Sequence, residues 1–189
     1  MNPEGGYSKP VLIYLTSTDK KIVKKVRNYE KGALVDEKYY IAARFFDCYM
    51  VDVANIEKGH PLLTLVKKPK PMSFITVSNG RVLYKTNDKP SSSNIFSVCA
   101  KTLKKTHKFD LEKITKEEQE ILSEISALND QLEKIKNTRL QKNKKLSKRE
   151  GAALTKEEET IQKKMSELRE AESKLMTLPS DKKGKVAKK

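Results

Sequence analysis

From Leu111 onward the apolar residues recur at alternating steps of three and four: Leu111, Ile114, Ile121, Ile125, Leu128, Leu132 and Ile135. Glu118 is the one polar residue in that series. Such a period is the seam of a coiled coil. A shorter series follows, Ile161, Met165, Leu168 and Leu175, interrupted by Glu172 and ended by Pro179. Gly151 lies between the two, so the spacing predicts an antiparallel hairpin with helices over about 112–146 and 156–177. Thr115-Lys-Glu-Glu118 and Thr155-Lys-Glu-Glu158 have the Thr-x-x-Glu spacing of a capping box. Each marks an expected helix start, the first being otherwise a register mark inside a longer helix. The seam residues are Ile121, Ile125, Leu128, Leu132 and Ile135 on one helix, and Ile161, Met165, Leu168 and Leu175 on the other. A two-helix hairpin buries few side chains, so the seam is expected to need the rest of the chain, a second copy or a partner to cover it.

The turn of this hairpin is densely basic. Between Lys134 and Arg149 lie eight cationic residues and no acid: Lys134, Lys136, Arg139, Lys142, Lys144, Lys145, Lys148 and Arg149. Like charges at that density repel one another and favour a polyanion or an acidic partner surface. Arg139 and Lys142 fall on seam positions, so apolar packing is expected to fail there and the tip to splay. Residues 111–189 contain no Phe, Tyr or Trp, which removes base stacking. Contacts would be to phosphate or carboxylate, weakening with salt. Beyond Pro179 the composition is that of a disordered basic tail, residues 179–189.

The aromatic residues, most prolines and the β-branched runs are confined to residues 1–110, which points to a compact domain ahead of the helices. Residues 1–8 read as a flexible N-terminus. Basic residues outnumber acidic ones by 20 to 10 up to residue 110 and by 20 to 15 beyond it. This excess suits nucleic acid, an anionic membrane face or an acidic protein.

Val11 to Leu15 is an apolar run suited to a strand buried on both faces. N-cap candidates at Thr16 to Asp19 precede Ile22, Val23, Val26 and Tyr29 at helical spacing. Val35 to Phe46 reads as a second helix and Cys48 to Val53 as a strand. Met72 to Val77 and Val82 to Tyr84 are strands joined by Ser78-Asn79-Gly80-Arg81, an Asn-Gly hairpin signal. A last helix runs from Pro90–Ser93 to about His107. Both cysteines lie in apolar runs and read as packed thiols, too far apart for a metal or C-x-x-C pattern.

This order, over roughly residues 8–107, resembles a thioredoxin-like domain. Val11 to Leu15 corresponds to the central strand before the family's active-site turn. Asp52 in Val51-Asp52-Val53 resembles the strand end of related subfamilies, Pro71 falls where the family places its cis-proline, and Asn79-Gly80 falls between its last two strands. The resemblance implies a dithiol at the turn after the first strand, where a helix N-terminus lowers a thiol pKa. The turn here is Thr16-Ser17-Thr18-Asp19-Lys20-Lys21-Ile22-Val23, without cysteine. Thiol–disulfide exchange is therefore not expected, and the fold becomes a binding platform. A cis bond at Pro71 would expose backbone beside Met72, so these two residues are the expected peptide-binding face.

No other constellation suggests catalysis. His60 and His107 lack a third ligand, Asp19 reads as a helix cap, and no glycine loop cradles phosphate. The fold class expected is α/β: a thioredoxin-like central mixed sheet flanked by helices over 9–110, then an all-α antiparallel coiled-coil hairpin over 111–178. The function expected is a non-catalytic adaptor or assembly protein, neither an enzyme nor a holder of a cofactor or metal. It would bind a protein partner or a second copy through its helices, with nucleic acid bound by the basic turn and tail as the alternative. No segment has the length and apolarity to span a membrane. Met1 to Ser8 lacks a signal core, which favours the cytoplasm, and an exported form would have had its signal removed.

Overall fold

A computed structural model describes residues 9–142 and 146–178. The chain divides into two compact units, the second being Lys116–Thr177.

The first unit is mixed α/β. Its order is β1 Val11–Thr16, α1 Val23–Ala33, α2 Glu37–Ala43, β2 Asp47–Asp52, α3 Pro61–Leu65, β3 Ser73–Ser78, β4 Arg81–Lys85 and α4 Ser92–His107, with a 3-10 turn over Val53–Asn55. The strands form one sheet in the order β2-β1-β3-β4. β1 pairs parallel with β2, with Leu12 opposite Cys48. It pairs antiparallel with β3, with Tyr14 opposite Phe74. Asn79 and Gly80, at φ of 51° and 70°, supply the two left-handed residues of the β3–β4 hairpin.

Alternation along β1 divides the core into two layers. Ile13 and Leu15 pack with Ile75, Val77, Leu62 and Val66, placing the short α3 on that face. Leu12 and Tyr14 point the other way. There the Tyr14 ring stacks on Phe74 at 4.8 Å and approaches Tyr29 of α1 at 6.5 Å, while Tyr39 of α2 meets Phe74 edge-on at 5.9 Å. On α4, Ile95, Cys99 and Leu103 are fully buried, and the Thr102 hydroxyl lies 2.8 Å from that of Thr76 on β3.

The second helix is shorter than the expected span of 35–46. Asp36 caps it through the amides of Lys38 and Tyr39, and it stops at Ala43. Phe45 and Phe46 are buried all the same, from the turn that follows. Cys99 is packed as expected, but Cys48 is exposed. β2 is an edge strand, so residues 47–50 face solvent, with Tyr49 59% and Met50 64% accessible. An apolar run does not reveal whether the strand it forms has a neighbour on both sides.

Two long helices carry the rest: α5 Leu111–Gln141, which begins within the first unit, and α6 Lys148–Leu175. Asp110 caps α5, its carboxylate accepting from the Lys113 amide at 3.2 Å. Thr115 therefore lies inside the helix. In the second unit Leu128, Ile135, Ile161 and Met165 are buried together, with Ile125, Leu132, Leu154 and Leu168 packed around them. The apolar residues of each helix pack against those of the other. Ile121 and Leu175 remain half-buried. Ion pairs Glu124–Lys164, Arg139–Glu158 and Lys142–Glu150 run up α5 as they run down α6.

The expected start of α6 at Thr155 is displaced by two turns. Ser147 is the N-cap, and with Glu150 it forms a complete capping box. Thr155 sits inside the helix, its hydroxyl donating back to the Gly151 carbonyl at 3.0 Å. Among the described residues no helix is long and apolar enough to cross a membrane. Replacing Ser147 by Ala should cost about 1 kcal/mol, the usual worth of an N-cap. Thr155→Ala, which removes one partner of Arg139 but no cap, should cost less than Ser147→Ala in the same urea denaturation followed by helical circular dichroism.

Candidate functional site

In the first unit, the turn leaving β1 is where thiol chemistry was sought. Its leading residues are hydroxyls and a carboxylate, and they are tied into hydrogen bonds. The Thr18 amide and hydroxyl both donate to the carboxylate of Asp52, at the end of β2. The same carboxylate accepts from the Ala54 amide at 3.0 Å and from Asn55 Nδ2 at 2.7 Å. Hydrogen bonds from Thr18, then from Ala54, hold the Asp52 carboxyl below its ordinary range, with Asn55 adding to them. Asp19 Oδ1 accepts from the Lys21 amide at 2.8 Å, capping the turn that leads into α1. Thr16 donates to Glu30 of α1 at 2.9 Å.

Neither cysteine lies at this turn. Cys99 is inside α4, and burial pushes its thiol up to about 12. Cys48 is on an exposed strand, yet its sulfur is partly shielded and points toward the carbonyls of Ala43 and Phe46. Desolvation, followed by the charge of Asp47, raises its pKa, and Lys9 opposes them. Both thiols are held protonated, the reverse of what a nucleophilic thiolate requires.

No peptide bond among the described residues is cis, so the bond before Pro71 is trans. The backbone adjusts at Met72 instead, which takes a φ of 57°. The Met72 side chain is buried, its amide donates to the Leu15 carbonyl at 2.6 Å, and its carbonyl accepts from Lys89 at 2.8 Å. An extended peptide pairing with this backbone would have to break one of those bonds. Pro71 itself is half-exposed. His60 caps α3, its Nδ1 accepting from Leu62 at 3.1 Å. Among the described residues no three His, Cys, Asp or Glu side chains group as a metal site would.

In the second unit the basic residues divide into two sets. Arg139 and Lys142, on seam positions, are paired: Arg139 with Glu158 at 2.6 Å and Thr155 at 3.2 Å, Lys142 with Glu150 at 3.7 Å. Packing at the seam gives way to ion pairs there, and the expected splaying does not occur at these two residues. Lys134, Lys136, Lys148 and Arg149 are exposed, and none of them pairs with an acid among the described residues. Lys144 and Lys145 lie outside the described residues, as does the basic tail. A hollow of about 680 Å³ is lined by Leu132, Lys136, Arg139 and Leu140 among others, and Leu140 is 63% exposed.

Sequence reasoning missed Leu154 as a seam residue and Leu140 as an exposed apolar one. It also missed the Asp52 network, whose signal was Asp52-Val-Ala-Asn55, an acid followed by turn residues at a strand end. No family model matches the sequence, and no curated protein and no solved structure matches the chain.

Asp52→Asn puts an amide among four donors and should lower the melting temperature at neutral pH. Because the folded-state pKa is depressed, the carboxylate's contribution is present above the ordinary carboxylate value and fades as pH falls through the folded value. The gap between wild type and Asp52→Asn should therefore close in acid, as melts recorded from neutral pH downward would show.

Proposed function

We propose that this protein is a non-catalytic adaptor, built on a thioredoxin-like domain and a coiled-coil hairpin, that works by binding a protein partner. The observation that carries the reading is the turn after β1. It holds Thr16, Ser17, Thr18 and Asp19 in place of thiols, and Asp52 ties Thr18 into a hydrogen-bond network there. Support for the domain comes from β1 as an interior strand ending at that turn, and from the Asn79-Gly80 hairpin between the last two strands.

Support for partner binding comes from three surfaces. β2 is an unpaired edge carrying exposed Tyr49 and Met50, and extended segments add readily to such edges. Pro71 would contribute its ring, since backbone pairing at Met72 is already taken. The exposed Leu140, beside Lys136, suits an apolar partner with an acidic rim. Self-association through the helices would use that same rim, because the seam centre is already shielded.

In an insulin-reduction assay with dithiothreitol, the purified protein should add nothing to the reductant's own rate. Thiol-dependent turnover would remove the proposal.

A second reading rests on the unpaired cations Lys134, Lys136, Lys148 and Arg149, which suit a phosphate backbone. Binding to RNA or DNA would then fall steeply with salt. Reversing these four charges should weaken binding and flatten the salt slope; if neither changes, this reading fails.

A further inference from the structure

The first unit carries a second concentration of positive charge, built differently from the basic run. Lys24, Lys25 and Asn28 lie at i, i+1 and i+4 in the first turns of α1, and Lys21 stands in the turn just before it, three residues ahead of Lys24. With Tyr29 and Lys89 they line an open hollow of about 580 Å³. None of its lining residues is acidic. The acids nearby make contacts of their own: Asp19 accepts from the Lys21 amide, Glu30 from Thr16, and Asp88 pairs with Lys70 at 3.3 Å. The first turn of α1 carries no acidic residue either, so the positive end of the helix adds to the field.

Lys89 is held in place by the fold. Its φ of 54° is left-handed, a conformation that costs energy in any residue but glycine. Its amide is fixed to the Met72 carbonyl at 2.8 Å, and the adjoining Pro90 carbonyl accepts from the Tyr29 hydroxyl at 2.8 Å. Two hydrogen bonds thus lock the 89–90 turn over α1. Lys25 depresses the Lys89 pKa, with desolvation second and Asp88 opposing. Like charges gathered around one opening repel one another until an anion comes between them. Tyr29 has its hydroxyl committed to Pro90 and its ring beside that of Tyr14. The hollow therefore offers charge and an amide, with little to recognise a base or sugar.

We propose that this hollow binds an oligophosphate group, a chain of two or three phosphates bridged between the lysines of α1 and Lys89. Lysine suits this role as a point charge, and several lysines around one opening match a ligand with several charged oxygens. A chain of two or three phosphates carries more charge and more oxygens than a single phosphate, so it should bind the lysines more tightly.

The test is isothermal titration of pyrophosphate into the full chain at low salt, with orthophosphate and sulfate alongside. Saturable one-site binding is expected for pyrophosphate, at least tenfold tighter than for the other two anions. Lys25→Gln/Lys89→Gln should weaken it at least tenfold, and Lys134→Gln/Lys136→Gln should leave it unchanged. Pyrophosphate should also raise the melting temperature of the wild type but not of Lys25→Gln/Lys89→Gln. That variant should melt no lower than wild type without ligand, because a repulsion has been removed. If it does not fold, Lys21→Gln/Lys24→Gln takes its place with the same expected loss. Equal response to all three anions, or affinity lost only in the Lys134→Gln/Lys136→Gln protein, would overturn the proposal.

Discussion

β1 is the strand on which the first unit depends. Leu12, Ile13, Tyr14 and Leu15 are all buried, two toward each side of the sheet. A strand covered on both faces fixes its own register, because a slip of one residue would exchange the two layers. α3 lies over Ile13 and Leu15, while α1 and α2 lie over Tyr14 and its neighbour Phe74. The carbonyl of Leu15 then anchors Met72, and the chain leaving Thr16 forms the turn that Asp52 closes. The two surfaces of greatest chemical interest in this unit, the Thr18–Asp52 turn and the lysine hollow on α1, both follow directly from the end of this one strand.

The second unit depends on a narrower contact. The cluster between its helices has eight apolar residues, and burying four of them stabilises a pair of helices only modestly by area. Capping and ion pairs therefore carry more weight than in a thick core. The Ser147–Glu150 box satisfies amides that would otherwise be orphaned at the start of α6. Arg139 illustrates the compromise. It stands where a leucine would pack, and it keeps the helices together only through Glu158 and Thr155. Charge removed from Glu158 would leave a cation facing an apolar seam.

Much of this was readable beforehand, for identifiable reasons. Val11 to Leu15 and Met72 to Val77 announce strands because apolar runs of that length have few other uses. Asn79-Gly80 announces the hairpin because the turn requires positive φ. Strand order is not a local property, so the exposure of Cys48 was hidden: its run looks like that of a core strand. Ser147-Lys-Arg-Glu150 obeys the same capping rule as Thr155-Lys-Glu-Glu158, and Gly151 obscured it, since a glycine four residues into a helix costs far less than one taken as a break. Pro71 misled in another way. A proline before a strand can be accommodated by its own bond or by the next residue's backbone, and here Met72 takes the change.

The open edge at β2 has one further consequence. β2 is paired with β1 on one side only, so its outer edge beside Tyr49 and Met50 would be expected to template a copy of itself, as exposed sheet margins do. Asp47 and Asp52 stand at its two ends, however, so a second copy laid along this margin brings carboxylates near carboxylates in either direction, and like charges repel. The same aspartate that closes the turn after β1 thus also helps keep two such margins apart, leaving the edge open to sequences of different charge.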